Sequence, residues 1–209
     1  MGNREALLAG AKQCLYERGY ARTTARDIAT TAGVSLAAIG YHYGSVTALL
    51  SAALMQATEE WGDELGRALT ADRDPHATPL ERFETTWTRV VSLFDAHRPL
   101  WLAHFEIVAQ IDHVPEVRQV LADALQEGRE GLALLFQQID SAADPQQAWT
   151  VGSFYQALLS GVMVQWMIDP RRAPSGHDLA QALRLILAEV GQQGALQEAP
   201  PLETTVTGS

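Results

Sequence analysis

One cysteine stands in 209 residues. Cys14 can form neither an internal disulfide nor a thiolate metal cluster, and its place among Leu8, Ala11 and Leu15 makes it a small buried hydrophobe. No apolar run is long enough to cross a bilayer, so no membrane partner is expected. The opening "MGNREALLAG" carries charges and lacks the continuous hydrophobic core of a signal peptide; no export signal is read, and the expected location is the cytoplasm. Charged residues make up only 19% against 47% apolar, the balance of a folded soluble chain. Walker loop, dinucleotide fingerprint, nucleophile elbow and matched carboxylate pair are all missing, so nothing supports an enzyme and no cofactor is implied. His97, His104, Glu106 and His113 fall within 17 residues, yet their spacings do not bring three ligands onto one helical face, and no metal site is expected.

A net charge of −10 would by itself argue against a polyanionic partner. Its distribution changes that. Residues 1–50 carry Arg4, Lys12, Arg18, Arg22 and Arg26 against Glu5, Glu17 and Asp27, a balance of +2, which leaves −12 for the rest. Because salt confines the useful field to about 8–10 Å, an acidic body with a mildly basic end is compatible with contact to a polyanion at that end.

What is present is helical periodicity, with no convincing alternating strand. Leu7, Leu8, Ala11, Cys14 and Leu15 form one stripe, and Gly19 in "RGY" closes that helix. Thr23 or Thr24 caps "ARDIATTA", with Asp27 approximating a capping box and Gly33 ending the segment. Ser35 then caps "LAAIGYHY". Two helices of about two turns separated by "GVS" make a helix-turn-helix, in which the turn glycine lets the second helix cross the first steeply. Further helices are expected from Val46 to about Leu69, from Pro79 to Ala96, over "LWLAHFEIVAQI", at about 115–138, at about 146–168, and along the stripe Leu179, Leu183, Ile186, Leu187 and Val190. After Gly194 the period is lost, and residues 195–209 are expected to be a disordered tail.

The stretch "GYARTTARDIATTAGVSLAAIGYHYGSVTALLSAAL" is similar, over residues 4–55, to the N-terminal DNA-binding module of the tetracycline-repressor (TetR) family of bacterial transcriptional regulators. The glycine-aromatic turn, the Thr pair before "RDIA", "AGVS", Ile39 and the ending "YHYGS" carry the resemblance together. It implies an all-α chain: a three-helix DNA-binding module over 1–46, and a larger helical domain over 47–194 for effector binding and dimerisation. It also implies double-stranded DNA, a second copy of the chain and a small-molecule effector as partners, with repression the commonest role.

The residues explain how such a module could work. Ala37, Ala38 and Gly40 leave room for close approach to the major groove, with Ser35 and Leu36 at the helix entrance, while Tyr41 and His42 project from the far end toward phosphates or base edges. Tyr43 matches a position that the family packs inward. Thr24 serves as cap and as phosphate contact, with Arg26 nearby. Two departures stand out: Gly40 replaces a frequent tyrosine, and Val46 replaces a frequent lysine. The recognition helix also lacks Arg, Lys, Asn and Gln, so readout leans on thymine methyl contacts, Tyr41, His42 and either Arg22, Arg26 or DNA shape. The missing lysine leaves one alternative, a helical small-molecule-binding protein without DNA-binding activity.

The segment 146–168 is apolar nearly all round, and Gly152, Ala157, Ser160 and Gly161 are small enough for another helix to approach. A dimer interface is expected from Phe154, Leu158, Gly161 and Val162 with Leu183, Ile186, Leu187 and Val190, following the four-helix arrangement that the resemblance implies. Trp87, Phe94, Trp101, His104, Phe105, Tyr155, Met163 and Trp166 are the candidate pocket residues.

Overall fold

The computed structural model describes residues 2–71, 74, 76–109, 111–112 and 115–197. Among them are nine helices: α1 (Asn3–Arg18), α2 (Ala25–Ala32), α3 (Ala37–Tyr43), α4 (Val46–Ala71), α5 (Pro79–Leu93), α6 (Arg98–Val108), α7 (Pro115–Gln137), α8 (Pro145–Ile168) and α9 (Gly176–Gln197). No strand occurs among the described residues. The helix expected to end near Gly194 continues to Gln197, and most of the proposed tail lies outside the described residues.

Local chemistry sets the boundaries. Thr24, Thr78 and Ser175 each face a carboxylate three residues on, Asp27, Glu81 and Asp178, whose oxygen accepts the backbone amide of the capping residue at 3.0, 2.7 and 2.9 Å. Gly33 ends α2 in the left-handed region, at φ 67° and ψ 29°, and its amide reaches back to the carbonyls of Ala29 and Thr30. Ser35 departs from its expected role: Leu36 occupies the N-cap of α3, and the helix opens with tight turns from Ala38 to the Ser35 carbonyl and from Ile39 to that of Leu36. Backbone bonds therefore start α3, and the Ser35 hydroxyl caps nothing.

α1 to α3 pack around Leu7, Ala11, Cys14, Ile28 and Ile39, and α4 closes this module with Leu49, Leu50 and Ala53. α4 has 26 residues, about 39 Å at 1.5 Å per residue, so one rigid rod joins the module to the body. Its lower half enters an aromatic core, where Trp61 meets Trp101 edge-on at 4.8 Å and Phe94 meets both Trp101 and Trp166. α7 pairs with α8, and α5 with α9. At the first pair Gly152 is obligatory: a Cβ there would lie 2.1 Å from the Arg129 carbonyl oxygen. Gly152 thus brings α8 against α7 of its own chain, and is not the opening for a partner helix that its size suggested.

Candidate nucleic-acid interface and internal cavity

The end of α3 separates its aromatic residues. Tyr43 turns inward, where its hydroxyl donates to the Arg4 carbonyl at 2.9 Å and the Arg4 guanidinium lies over its ring at 5.3 Å. Tyr41 points away and is 86% exposed, its ring held edge-on to His42 at 4.9 Å. Ser35, Leu36, Ala37 and Gly40 are exposed beside it, and Ala38 is half-buried. Ile39, buried between them, anchors α3 to the module. The result is a short helix with a smooth outer face and one projecting phenol.

The cations around this face are largely engaged. Arg18 pairs with Asp27 at 2.6 Å, Arg22 Nε donates to the Arg18 carbonyl at 2.7 Å, and Lys12 pairs with Glu60 at 2.6 Å. Arg26 is exposed and has no partner among the described residues. Thr24 caps α2 as expected, but its hydroxyl also donates to Asp27 at 2.6 Å. These Thr24 bonds, with Arg18 adding its charge, hold the Asp27 carboxyl below the usual range.

The body contains a cavity of about 980 Å³ between α4, α6, α7 and α8. Trp101, His104, Phe105 and Met163 line it, as expected. Trp87, Phe94, Tyr155 and Trp166 do not. Trp87 and Phe94 are fully enclosed, and Trp166 packs against Phe94 and under the Arg98 guanidinium. Tyr155 is buried with its hydroxyl accepting from Gln137 at 2.5 Å, and burial raises its pKa. An aromatic stripe marks buried positions without distinguishing a filled core from a cavity wall. The lining that the sequence reading missed comes from α4 and α7, including Met55, Trp61, Gly62, Leu121, Leu125 and Gly131. The available signal was glycine: an added Cβ at Gly62 or Gly131 meets nothing within 4 Å, so each leaves open space beside the backbone.

His104 is a half-buried polar group of this wall. Burial lowers its pKa, so its imidazole is neutral near pH 7, and it has no hydrogen-bond partner among the described residues. The other residues of the histidine cluster serve structure: His97 faces Glu64 at 2.9 Å and Glu106 binds the Ala21 amide, while His113 lies outside the described residues. No group of His, Cys, Asp and Glu among the described residues is arranged to hold a metal.

On α8, Phe154, Ala157, Gly161, Val164 and Ile168 recur at three- and four-residue steps and are all exposed, Ile168 to 80%. Leu185, Ile186 and Leu187 stand exposed on α9. Three expected interface residues sit otherwise. Val162 is 1% exposed and faces its own core, because one residue step turns it about 100° round α8 from the exposed Gly161. Leu158 and Leu183 are half-buried. The Val190 side chain lies outside the described residues.

A helix-turn-helix module carried on a helical body with an internal cavity defines the class as a DNA-binding regulator. The sequence profile described as bacterial regulatory proteins of the tetR family matches residues 7–53, and the tetracyclin repressor-like C-terminal domain matches residues 78–189. The chain belongs to the TetR family of transcriptional regulators. It is 27% identical over 175 residues to the HTH-type transcriptional regulator TtgR of Pseudomonas putida, covering 80% of this chain and 81% of that one. Against the HTH-type transcriptional repressor BepR of Brucella suis biovar 1 the identity is 26%, over 78% of this chain and 80% of that one. In fold it is similar to the multidrug binding protein EbrR solved with imidazole, at 22% identity and a TM-score of 0.64, covering 88% of this chain and 94% of that one. No described helix is long and apolar enough to cross a membrane.

Proposed function

We propose that this regulator acts as a homodimer that represses transcription from a palindromic operator and is released by a small organic effector held in the α4–α8 cavity. The observation that carries the DNA-reading half is the opposite orientation of two neighbouring tyrosines: Tyr43 is tied to Arg4, and Tyr41 is left 86% exposed on the free face of α3. In this reading Thr24, Arg26, Ser35 and Leu36 position the module on phosphates, while Ala37, Ala38, Gly40, Tyr41 and His42 meet the groove. A two-turn helix needs a second copy to bind firmly, and the exposed apolar stripe on α8 with Leu185, Ile186 and Leu187 supports twofold pairing.

The effector reading rests on a cavity whose wall is mostly apolar with a few polar groups, the ordinary form of a small-molecule site. EbrR, of the same fold, has been solved with imidazole and with proflavin, which is consistent with such a use. Repression is proposed by analogy with BepR, a named repressor. The experiment is binding to labelled duplex from the DNA flanking the protein's own gene, with Tyr41→Ala and an unrelated duplex as controls. Sequence-selective binding that the substitution abolishes supports the reading. Equal binding by the two proteins to selected high-affinity duplexes rules out Tyr41 as the reading tip.

A further inference from the structure

Leu36 contributes little to the fold. It occupies the N-cap of α3, where Ser, Thr, Asp or Asn would bond a free amide, and its side chain caps nothing. Nor is it buried, being 52% exposed. Its backbone is already helical, at φ −56° and ψ −36°, so its side chain belongs to the outer surface of α3. At about 100° per residue, Leu36, Gly40, Ala37 and Tyr41 follow one another round an arc of about 140°, and all four are exposed. Ala38, His42, Ile39 and Tyr43 take the rest of the turn and are half-buried or buried. On the outer arc Gly40 is bare, since a Cβ there would meet nothing within 4 Å, and Ala37 adds one methyl. Leu36 and Tyr41 are the side chains that reach further.

An arc that enters the major groove can be matched to what the base edges present there. Donors and acceptors mark every base pair, and the 5-methyl group of thymine is the apolar feature among them. The phenol of Tyr41 can use donors and acceptors. The isobutyl group of Leu36 cannot: against a guanine or cytosine edge it would strip water from polar atoms and leave their bonds unmade. A phosphate oxygen gains nothing from it for the same reason.

We infer that Leu36 reads the 5-methyl group of a thymine in each operator half-site, with the bare backbone at Gly40 letting α3 approach closely enough for that contact. The inference rests on the reading that the outer face of α3 enters the groove, and names the base atom that one of its residues selects. It sets the side chain of Leu36 among the base contacts rather than among those that position the module on phosphates.

Deoxyuridine in place of thymidine removes that methyl and keeps the base pair, so it isolates the contact. The tightest duplex that the full-length wild type selects from a random pool is remade with each symmetric pair of thymines replaced in turn, and affinity is followed by fluorescence anisotropy at fixed salt. At one such pair the loss is expected to be about fifteenfold, or about fourfold per half-site, the worth of one methyl taken from an apolar contact. The salt slope stays the same, because no phosphate contact changes. Leu36→Ala binds the thymine duplex more weakly and no longer distinguishes it from the uracil duplex. Leu36→Met, apolar and of similar reach, keeps the distinction. Tyr41→Ala weakens binding to both duplexes alike and leaves their ratio in place. An unchanged thermal melt checks that Leu36→Ala, which removes no buried side chain, is folded.

Equal affinity of the wild type for the thymine duplex and every uracil duplex overturns the inference, as does a thymine preference that Leu36→Ala retains in full. In either case a selected duplex that Tyr41→Ala binds poorly leaves α3 as the reading helix. A selection that yields no preferred duplex overturns the proposed operator reading, and this inference with it.

Discussion

Glu106 on α6 accepts a hydrogen bond from the backbone amide of Ala21 at 2.9 Å, joining groups 85 residues apart. Its carboxylate also lies where a Cβ on Gly19 would come within 3.1 Å, so the turn between α1 and α2 is fitted around it. His104 and Phe105, the two preceding residues, face the cavity. One bond thus fastens a cavity helix to the backbone that leads into α2. Glu106→Ala leaves the Ala21 amide without its acceptor and is expected to cost about 1 kcal/mol. In a chain of this size that lowers Tm by about 2–4 °C, and Glu106→Gln, which keeps an acceptor oxygen, restores most of it. Amide hydrogen exchange at Ala21 reports the bond directly: it should accelerate in the Ala variant and stay slow in the Gln variant.

Tyr41 makes no contact that the fold needs beyond the edge of His42. Tyr41→Ala should therefore change stability by no more than about 0.5 kcal/mol while DNA affinity falls at least about tenfold. Few cations stand unpaired beside the outer face of α3 among the described residues. The slope of log K against log salt for the dimer should have a magnitude of about 4–8, at roughly 0.9 per phosphate neutralised. A slope near about −12 by fluorescence anisotropy would contradict the small cationic footprint.

Asp27 links stability to pH. Its folded pKa is depressed, first by the Thr24 bonds and then by Arg18, so its contribution is present above the unfolded pKa and is lost as pH falls through the folded value. Wild type should be more stable than Asp27→Asn at neutral pH. That difference should shrink once the pH drops below about 4, where the unfolded carboxyl begins to protonate. Glu81 and Asp178, depressed by the same capping geometry at Thr78 and Ser175, should follow the same course. Urea titrations at several pH values measure all three.

Two glycines of one helix should behave oppositely. Gly161 is exposed and an added Cβ meets nothing within 4 Å, so Gly161→Arg leaves the protomer intact and places a charge in the proposed twofold contact. Light scattering should then find monomers that no longer hold DNA. Gly152→Ala instead drives a methyl to 2.1 Å from the Arg129 carbonyl oxygen and should cost about 1–3 kcal/mol through the separation of α7 from α8. An unchanged mass for Gly161→Arg would remove α8 from the dimer.

Local physics is written in the sequence. The spacing of Thr24 and Asp27, the left-handed turn at Gly33, and the stripe from Leu7 to Leu15 each depend on neighbours within a few residues, and each appears in the folded chain. The all-helical class and the helix-turn-helix follow from them, because period and capping chemistry are local properties. Ser35 breaks the pattern because its neighbours start α3 with backbone bonds alone.

What depends on distant contacts was not legible. Trp87 and Trp101 are equally aromatic and equally placed on a buried stripe, yet Trp87 is sealed in the core and Trp101 borders open space. Gly152 and Gly161 are equally small, and only the position of α7 decides that one is filled from within and the other left bare. Glu59, Asp63 and Glu127 look like ordinary surface charge along the chain. They come to border one cavity because α4 packs beside α7, and packing is fixed by the sum of many weak contacts that no short stretch of sequence contains.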